Sequence, residues 1–387
     1  MSPVSRGRKK KPKKGKPAKA RPARLMQLSP FADIRLPRPD WFDTAIKTVL
    51  DGAEATLSAT STRELEQMVA ELLGAELYHA VQDGRGGLRF DWLFHEIVDA
   101  AVAARSREAR HAAMDRLLHG MAAISSPALR AYAEQHLPKR ALCDWQRVTA
   151  TGEVWRMRDA YGTRYGVIAG FSYPGVFLFD VDASGFVRLA GAGVFGGVEQ
   201  AAAAWRDWVG DSAHGAQPGP VGSAAELLCL TECDVAELGV MGDESRNVMD
   251  NWFRVNRRIH DLAEHGLLPE QANLYHDIDL TPMVEEFTRW YAAQQGTPPA
   301  PEIVEATAAE WMEGRLPETW FSVSPGRITH IRGLMSDWVD EFSKPGQAML
   351  ADWTRWLTER VALPEHLAEP VLAAHTAPLE RYAPVER

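Results

Sequence analysis

Cysteine is scarce in this chain of 387 residues: Cys143, Cys229 and Cys233 are the whole supply. An odd set of three is too small for a disulfide framework, so a reducing compartment is expected and the protein is read as cytoplasmic. Long apolar runs are missing too. No stretch reaches the roughly 18 apolar residues that a membrane span requires, and no membrane partner is expected. The basic start is not followed by an apolar signal-peptide core, because LMQLSPFADIRLPRPDWF (residues 25–42) places charges and prolines there. Recognisable catalytic signatures are absent: there is no GxSxG, Walker, zincin or kinase pattern, and no cofactor is expected.

Lysine is the scarcity that points somewhere. Beyond residue 25 only Lys47, Lys139 and Lys344 remain; the other seven, Lys9, Lys10, Lys11, Lys13, Lys14, Lys16 and Lys19, crowd into SRGRKKKPKKGKPAKARPAR, residues 5–24. Eleven of those twenty positions are Lys or Arg and none is acidic. Taking the eleven from the 43 basic residues leaves 32 against 52 acidic ones, so the remaining chain sits near −20 while the whole sits at −9. A body that acidic repels a phosphate backbone, whereas the arm attracts one by counterion release. Lysine is a flexible point charge suited to contact without sequence choice, and the arm has no aromatic side chain on which a base could stack. The seven lysines are therefore the candidate nucleic-acid contacts. Met26 follows the last arginine of the arm, so a chain begun there carries the body alone.

With 45% hydrophobic and 25% charged residues, the rest has an ordinary globular composition. Residues 1–38 lack a hydrophobic pattern and are expected to be disordered. From 39 to 145 apolar residues recur at three and four, as in Leu65, Met68, Val69, Leu72 and Leu73, and Ser61 with Glu64 has capping-box spacing. An N-terminal helical region follows from that pattern. Between 150 and 210 the period changes to short runs of Val, Phe, Tyr and Ile separated by turns at 159–162 and 182–185, which predicts a four-stranded antiparallel meander and a covering helix from about 198 to 209. A Gly/Pro linker spans 211–222. A C-terminal helical domain covers 223–387, with helices expected near 243–265, 282–295, 301–313, 327–342, 346–361 and 364–376. Lys344-Pro345-Gly346 is read there as a stop and restart signal. The fold class expected is α+β, mostly helical, with two helical regions flanking the meander.

Several motifs invite chemistry. Gly191, Gly193 and Gly196 match GxGxxG, but the strand before them is the last of a meander rather than the first of a parallel βαβ unit, so a tight turn explains them. Asp180, Asp182 and Ser184 resemble the opening of a calcium loop whose twelfth position holds Gly191, and a hairpin turn is the simpler reading. Cys229 and Cys233 lie one helical turn apart without the further partners that zinc needs. Thirteen Trp, several spaced three apart beside apolar neighbours, read as core anchors.

The stretch from Asn251-Trp252-Phe253-Arg254-Val255 to His276-Asp277-Ile278-Asp279 loosely resembles the HD-type metal phosphohydrolases over about 30 residues. In that family a helix carrying His precedes a second helix ending in a His-Asp pair, and the pair binds a metal that activates water. The resemblance implies His276 and Asp277 as ligands, with Asp279 as a further catalytic candidate and His260 as a further metal candidate. Asn251 stands at the first ligand position, Asp279 stands where Gly is usual, and Asp337 and Asp340 are fourth ligands by type only. On the residues alone, 276–281 is the loop before Pro282, with Asp279 or Thr281 as helix cap. The sequence thus favours a non-enzymatic interaction or regulatory protein whose arm associates non-specifically with nucleic acid or the ribosome; a degenerate HD-like hydrolase is the alternative.

Overall fold

Helix starts are written locally in this chain. In the computed structural model, which describes residues 38–82, 90–105, 110–137, 148–232, 245–270, 274–275 and 278–376, Ser61 Oγ accepts the Glu64 amide at 3.2 Å. The Glu64 carboxylate reaches back to the amide and hydroxyl of Thr60, both at 2.7 Å, one residue further than its spacing implies. The chain divides into two compact units, Met1–Phe42 and Asp43–Arg387, and only residues 38–42 of the first are described. The basic arm lies outside the described residues.

The helices before the sheet are α1 (Phe42–Gly52), α2 (Thr62–Gln82), α3 (Phe90–Arg105), α4 (His111–Ile124) and α5 (Pro127–Gln135). Helix α4 packs against α2, α3 and α5 through buried Met114, Leu117, Leu118 and Met121. Gly120 permits the crossing, because a Cβ there would stand 2.4 Å from a methyl of Val69 on α2.

The meander forms as its turns imply: β1 (Ala150–Arg158), β2 (Arg164–Phe171), β3 (Val176–Asp182) and β4 (Arg188–Phe195) pair antiparallel in succession. At the first turn Asp159 Oδ1 accepts the amides of Thr163 and Arg164 at 2.9 and 3.0 Å, and Gly162 supplies the positive φ of +74°. A fifth strand, β5 (Gly219–Pro220), pairs with β1 and gives the order β4-β3-β2-β1-β5. It comes from the segment read as a linker. Two residues that include a proline carry no alternation, so only the pairing reveals the strand.

Helix α6 (Val198–Val209) covers one face of the sheet, setting Ala201, Ala202 and Trp205 on Ile168 and Leu178. After it come α7 (Leu228–Thr231), α8 (Arg246–Glu264), α9 (Thr281–Gln295), α10 (Pro301–Met312), α11 (Pro325–Ser336), α12 (Asp340–Arg360) and α13 (Glu365–Ala373). Helices α9 to α13 enclose a core of Met283, Phe287, Val304, Trp311, Ile328, Ile331, Trp353 and Leu357. Trp353 is its hub, with ring centroids 4.6 Å from Phe287 and 5.1 Å from Trp356. Helix α8 instead packs along α2 and the β4 edge.

One expected break is misplaced. Lys344-Pro345-Gly346 lies inside α12, and the interruption falls earlier, between Ser336 and Asp340. Packing overrides the local signal: Gly346 admits the Trp338 ring, which a Cβ would meet at 2.8 Å, and Trp338 Nε1 donates to Glu310 at 3.1 Å. Among the described residues no helix is long and apolar enough to cross a membrane.

Candidate functional site

On α8, positions 247, 251, 254, 258 and 261 recur at four and three, so Asn247, Asn251, Arg254, Arg258 and Asp261 share one stripe. Ser245 caps the helix by accepting the Val248 amide at 3.3 Å. Beyond the exposed Asn247, the stripe is buried. Asn247 Oδ1 accepts the Ala192 amide at 2.9 Å, and Asn251 Nδ2 donates to the Ala192 carbonyl at 3.0 Å. Two asparagines thereby satisfy both backbone groups of Ala192 on the outer edge of β4, as a further strand would.

Further along, the stripe turns ionic. Arg254 donates to Gln67 on α2 at 2.6 Å and to Asn251 at 2.5 Å. Arg258 donates to Glu66 and, at 3.0 Å, to Asp261, which also accepts from Arg257. All three guanidiniums and both carboxylates are buried. Burial pushes Arg254 down to about 10, since no carboxylate bonds it directly. Burial opposes the charge of Arg258 as well, but Glu66, Tyr173 and Asp261 outweigh it and hold this guanidinium above its ordinary value. Arg258 also lies 5.0 Å from the Phe171 ring centroid, which ties the network to the sheet face opposite α6.

An open groove of about 620 Å³ that shares Gln67 with this network is lined by Ser58, Ala59, Thr60, Arg63, Glu64, Gln67, Met68 and Val194. Its polar groups have structural partners. Arg63 donates to the Pro174 carbonyl at 3.2 Å, Thr60 holds Glu64 below the usual carboxylate range, and Gln67 bridges Arg254 and Glu71. The hydroxyl of Thr60 stands beside a carboxylate, Glu64 at 2.7 Å, but this contact belongs to the turn that starts α2.

No protein-family model, curated protein or solved structure matches this chain. Function is to be read from its own charges and geometry.

His276 and Asp277 lie outside the described residues, as do Cys143, Cys233 and the seven lysines of the arm. Neither Asp279 nor Thr281 takes the cap position of α9, which falls to Leu280 without a side-chain cap bond; Asp279 Oδ1 accepts the Thr281 amide at 3.0 Å from just outside the helix, and hydrogen bonds from the Thr281 side chain and amide hold its carboxyl below the usual range. His260 is half-buried on α8, its pKa lowered by burial and by Arg257. Asn251 is engaged with the β4 backbone. Asp337 closes α11, and Asp340 opens α12. Among the described residues no three His, Cys, Asp or Glu side chains are grouped to hold a metal ion. Cys229 is buried, and burial pushes its thiol up to about 12.

The glycine and aspartate motifs have packing explanations. A Cβ on Gly191 would stand 3.3 Å from both the Asp180 carboxylate and the Trp208 ring. Asp180 accepts Nε and Nη2 of Arg164, both at 2.7 Å, and Trp205 Nε1 at 3.0 Å; Asp182 accepts the Ser184 amide at 2.9 Å. The buried arginine network escaped the sequence reading. Its spacing is visible on α8, but its carboxylate partner Glu66 stands 192 positions away.

Proposed function

We propose that this chain is a non-enzymatic interaction protein: the N-terminal arm associates with nucleic-acid phosphates without sequence choice, and the acidic body makes protein contacts. The separation of charge carries this reading, with eleven basic residues in the twenty of 5–24 against a net charge near −20 for the rest. Internal pairing supports it. Among the described residues burial withdraws five arginines and seven carboxylates, so the outward imbalance stays close to what composition gives. Arg254, Arg257 and Arg258, which would be the densest basic cluster of the body, are turned inward onto Gln67, Asp261 and Glu66. Affinity for a nucleic-acid backbone is thereby left to Lys9, Lys10, Lys11, Lys13, Lys14, Lys16 and Lys19 and their neighbouring arginines.

The test is removal of residues 1–25, followed by nucleic-acid binding at two salt concentrations. The arm-less chain is expected to lose binding at both, and unchanged binding would sink the proposal.

A further inference from the structure

A second set of buried cations lies where the β3–β4 hairpin tip meets α11. Arg327, in the first turn of α11, is fully buried over the Trp311 ring at 4.6 Å, and its two Nη groups donate to the carbonyls of Thr319 and Trp311, each at 2.6 Å. Arg315 is only 2% exposed and uses one Nη1 bond, to the Glu313 carbonyl at 3.1 Å. Its Nε and Nη2 are buried with no hydrogen-bond partner among the described residues, and so is Nε2 of His330. Both side chains flank the same ring. Phe186, at the hairpin tip, stands edge-on to His330 at 5.0 Å and lies 5.5 Å from the Arg315 guanidinium.

Nε and Nη2 form one edge of a guanidinium, a fork that matches two oxygens of an oxyanion. The same edge of Arg164 grips Asp180 in this protein, at 2.7 Å per bond. On Arg315 it faces no carboxylate. Glu310 acts on Arg315 only through space, and its Oε2 is taken by Trp338; Asp182 acts on His330 from within its contacts to Arg164 and Arg188. A buried guanidinium with an idle fork is unfavourable unless something accepts from it. A carboxylate offers two oxygens, enough for the fork alone. Phosphate offers a third, for the imidazole N–H.

We propose that Arg315 and His330 form a binding site for phosphate, as the free ion or as the terminal group of a phosphomonoester, with Phe186 as its displaceable cover. Phe186 is 49% exposed on a hairpin tip, so an outward rotation of its ring gives access without opening the core. The neutral His330 imidazole donates its single N–H to the third oxygen.

The probe is inorganic phosphate added to the full-length chain, with thermal melting compared against sodium chloride and sodium acetate at equal ionic strength. At a hundredfold excess over Kd, phosphate is expected to raise Tm by about 4 °C. Arg315→Met is expected to melt no lower than the parent without phosphate and to lose the increment. An equal increment in Arg315→Met, or none in the parent, overturns the proposal; an acetate effect as large as that of phosphate overturns the phosphate assignment. NMR titration of His330 covers the case in which the variant does not fold. Its midpoint, held down to about 4 by burial and by the cations Arg315, Arg327 and Arg188 against Asp182, should rise on phosphate binding. An unmoved midpoint contradicts the site.

Discussion

Glu66→Gln removes one charge and little else. In the parent, Glu66 on α2 accepts from Arg258, and its charge is also the strongest that favours the ionised form of Arg254. The glutamine keeps the shape and one acceptor oxygen. What it loses leaves Arg254, Arg257 and Arg258 with Asp261 as their buried carboxylate, Glu264 lying 3.8 Å from Arg257 but half-exposed. Breaking a buried pair in this way costs about 3 to 5 kcal/mol, and the retained acceptor places this case near the lower end, at about 3. With an unfolding entropy of roughly 2.1 cal/mol/K per residue over the folded body, that is a fall in Tm of about 4 °C. Calorimetry at 0.05 M and 1 M NaCl is the assay. Since Glu66 and Arg258 are both buried, the deficit should persist at high salt, whereas an exposed pair would be screened. Joining Glu66→Leu to Arg258→Met should recover most of the loss. A deficit below about 1 kcal/mol, or one that salt abolishes, would refute the view that α8 is docked by an unscreened ionic network.

Asn251→Ala strips partners from the Ala192 carbonyl and from Arg254, at an expected cost of about 2 kcal/mol by denaturant unfolding; a neutral result would mean water replaces the amide. Asn247→Ala should speed hydrogen exchange of the Ala192 amide about tenfold, and unchanged protection would show that the β4 edge does not depend on α8. In phosphate-free buffer His330 gives stability a pH dependence of definite sign. Its folded pKa of about 4 lies below the ordinary 6.5, so the unfolded chain binds the proton first: stability is full above about 6.5 and is lost as pH falls toward 4. Discounted for partial exposure, the loss is on the order of 2 kcal/mol. His330→Phe should flatten that part of the Tm profile, and an unaltered profile would contradict it.

What could be read in advance is what short-range chemistry specifies. The meander was legible because Asp159 to Gly162 and Asp182 to Gly185 punctuate apolar runs about ten residues apart, and α6 because Ala201, Ala202 and Trp205 repeat at helical spacing. β5 was hidden in a Gly-Pro pair whose only strand property is the partner beside it. Pro345 misled because its local signal yields to Trp338 packing on Gly346. The place of Asp279 before α9 was legible but its role as cap was not: its bond to Thr281 spans two residues, while the cap position itself falls on Leu280. The paired state of Arg258 and the idle fork of Arg315 were not, for each depends on what lies across the structure and not on neighbours in the chain.

The central claim is that nucleic-acid affinity resides in the arm, and the most direct measurement is the salt dependence of binding to unrelated DNA duplexes. The full-length chain should show a slope of log K against log salt that steepens with the phosphates engaged, approaching about −10 if all eleven basic residues contribute, and the same slope for every duplex. The chain that starts at Met26 should show no measurable binding. A shallow slope, a strong preference among duplexes, or retained affinity without the arm would contradict the account.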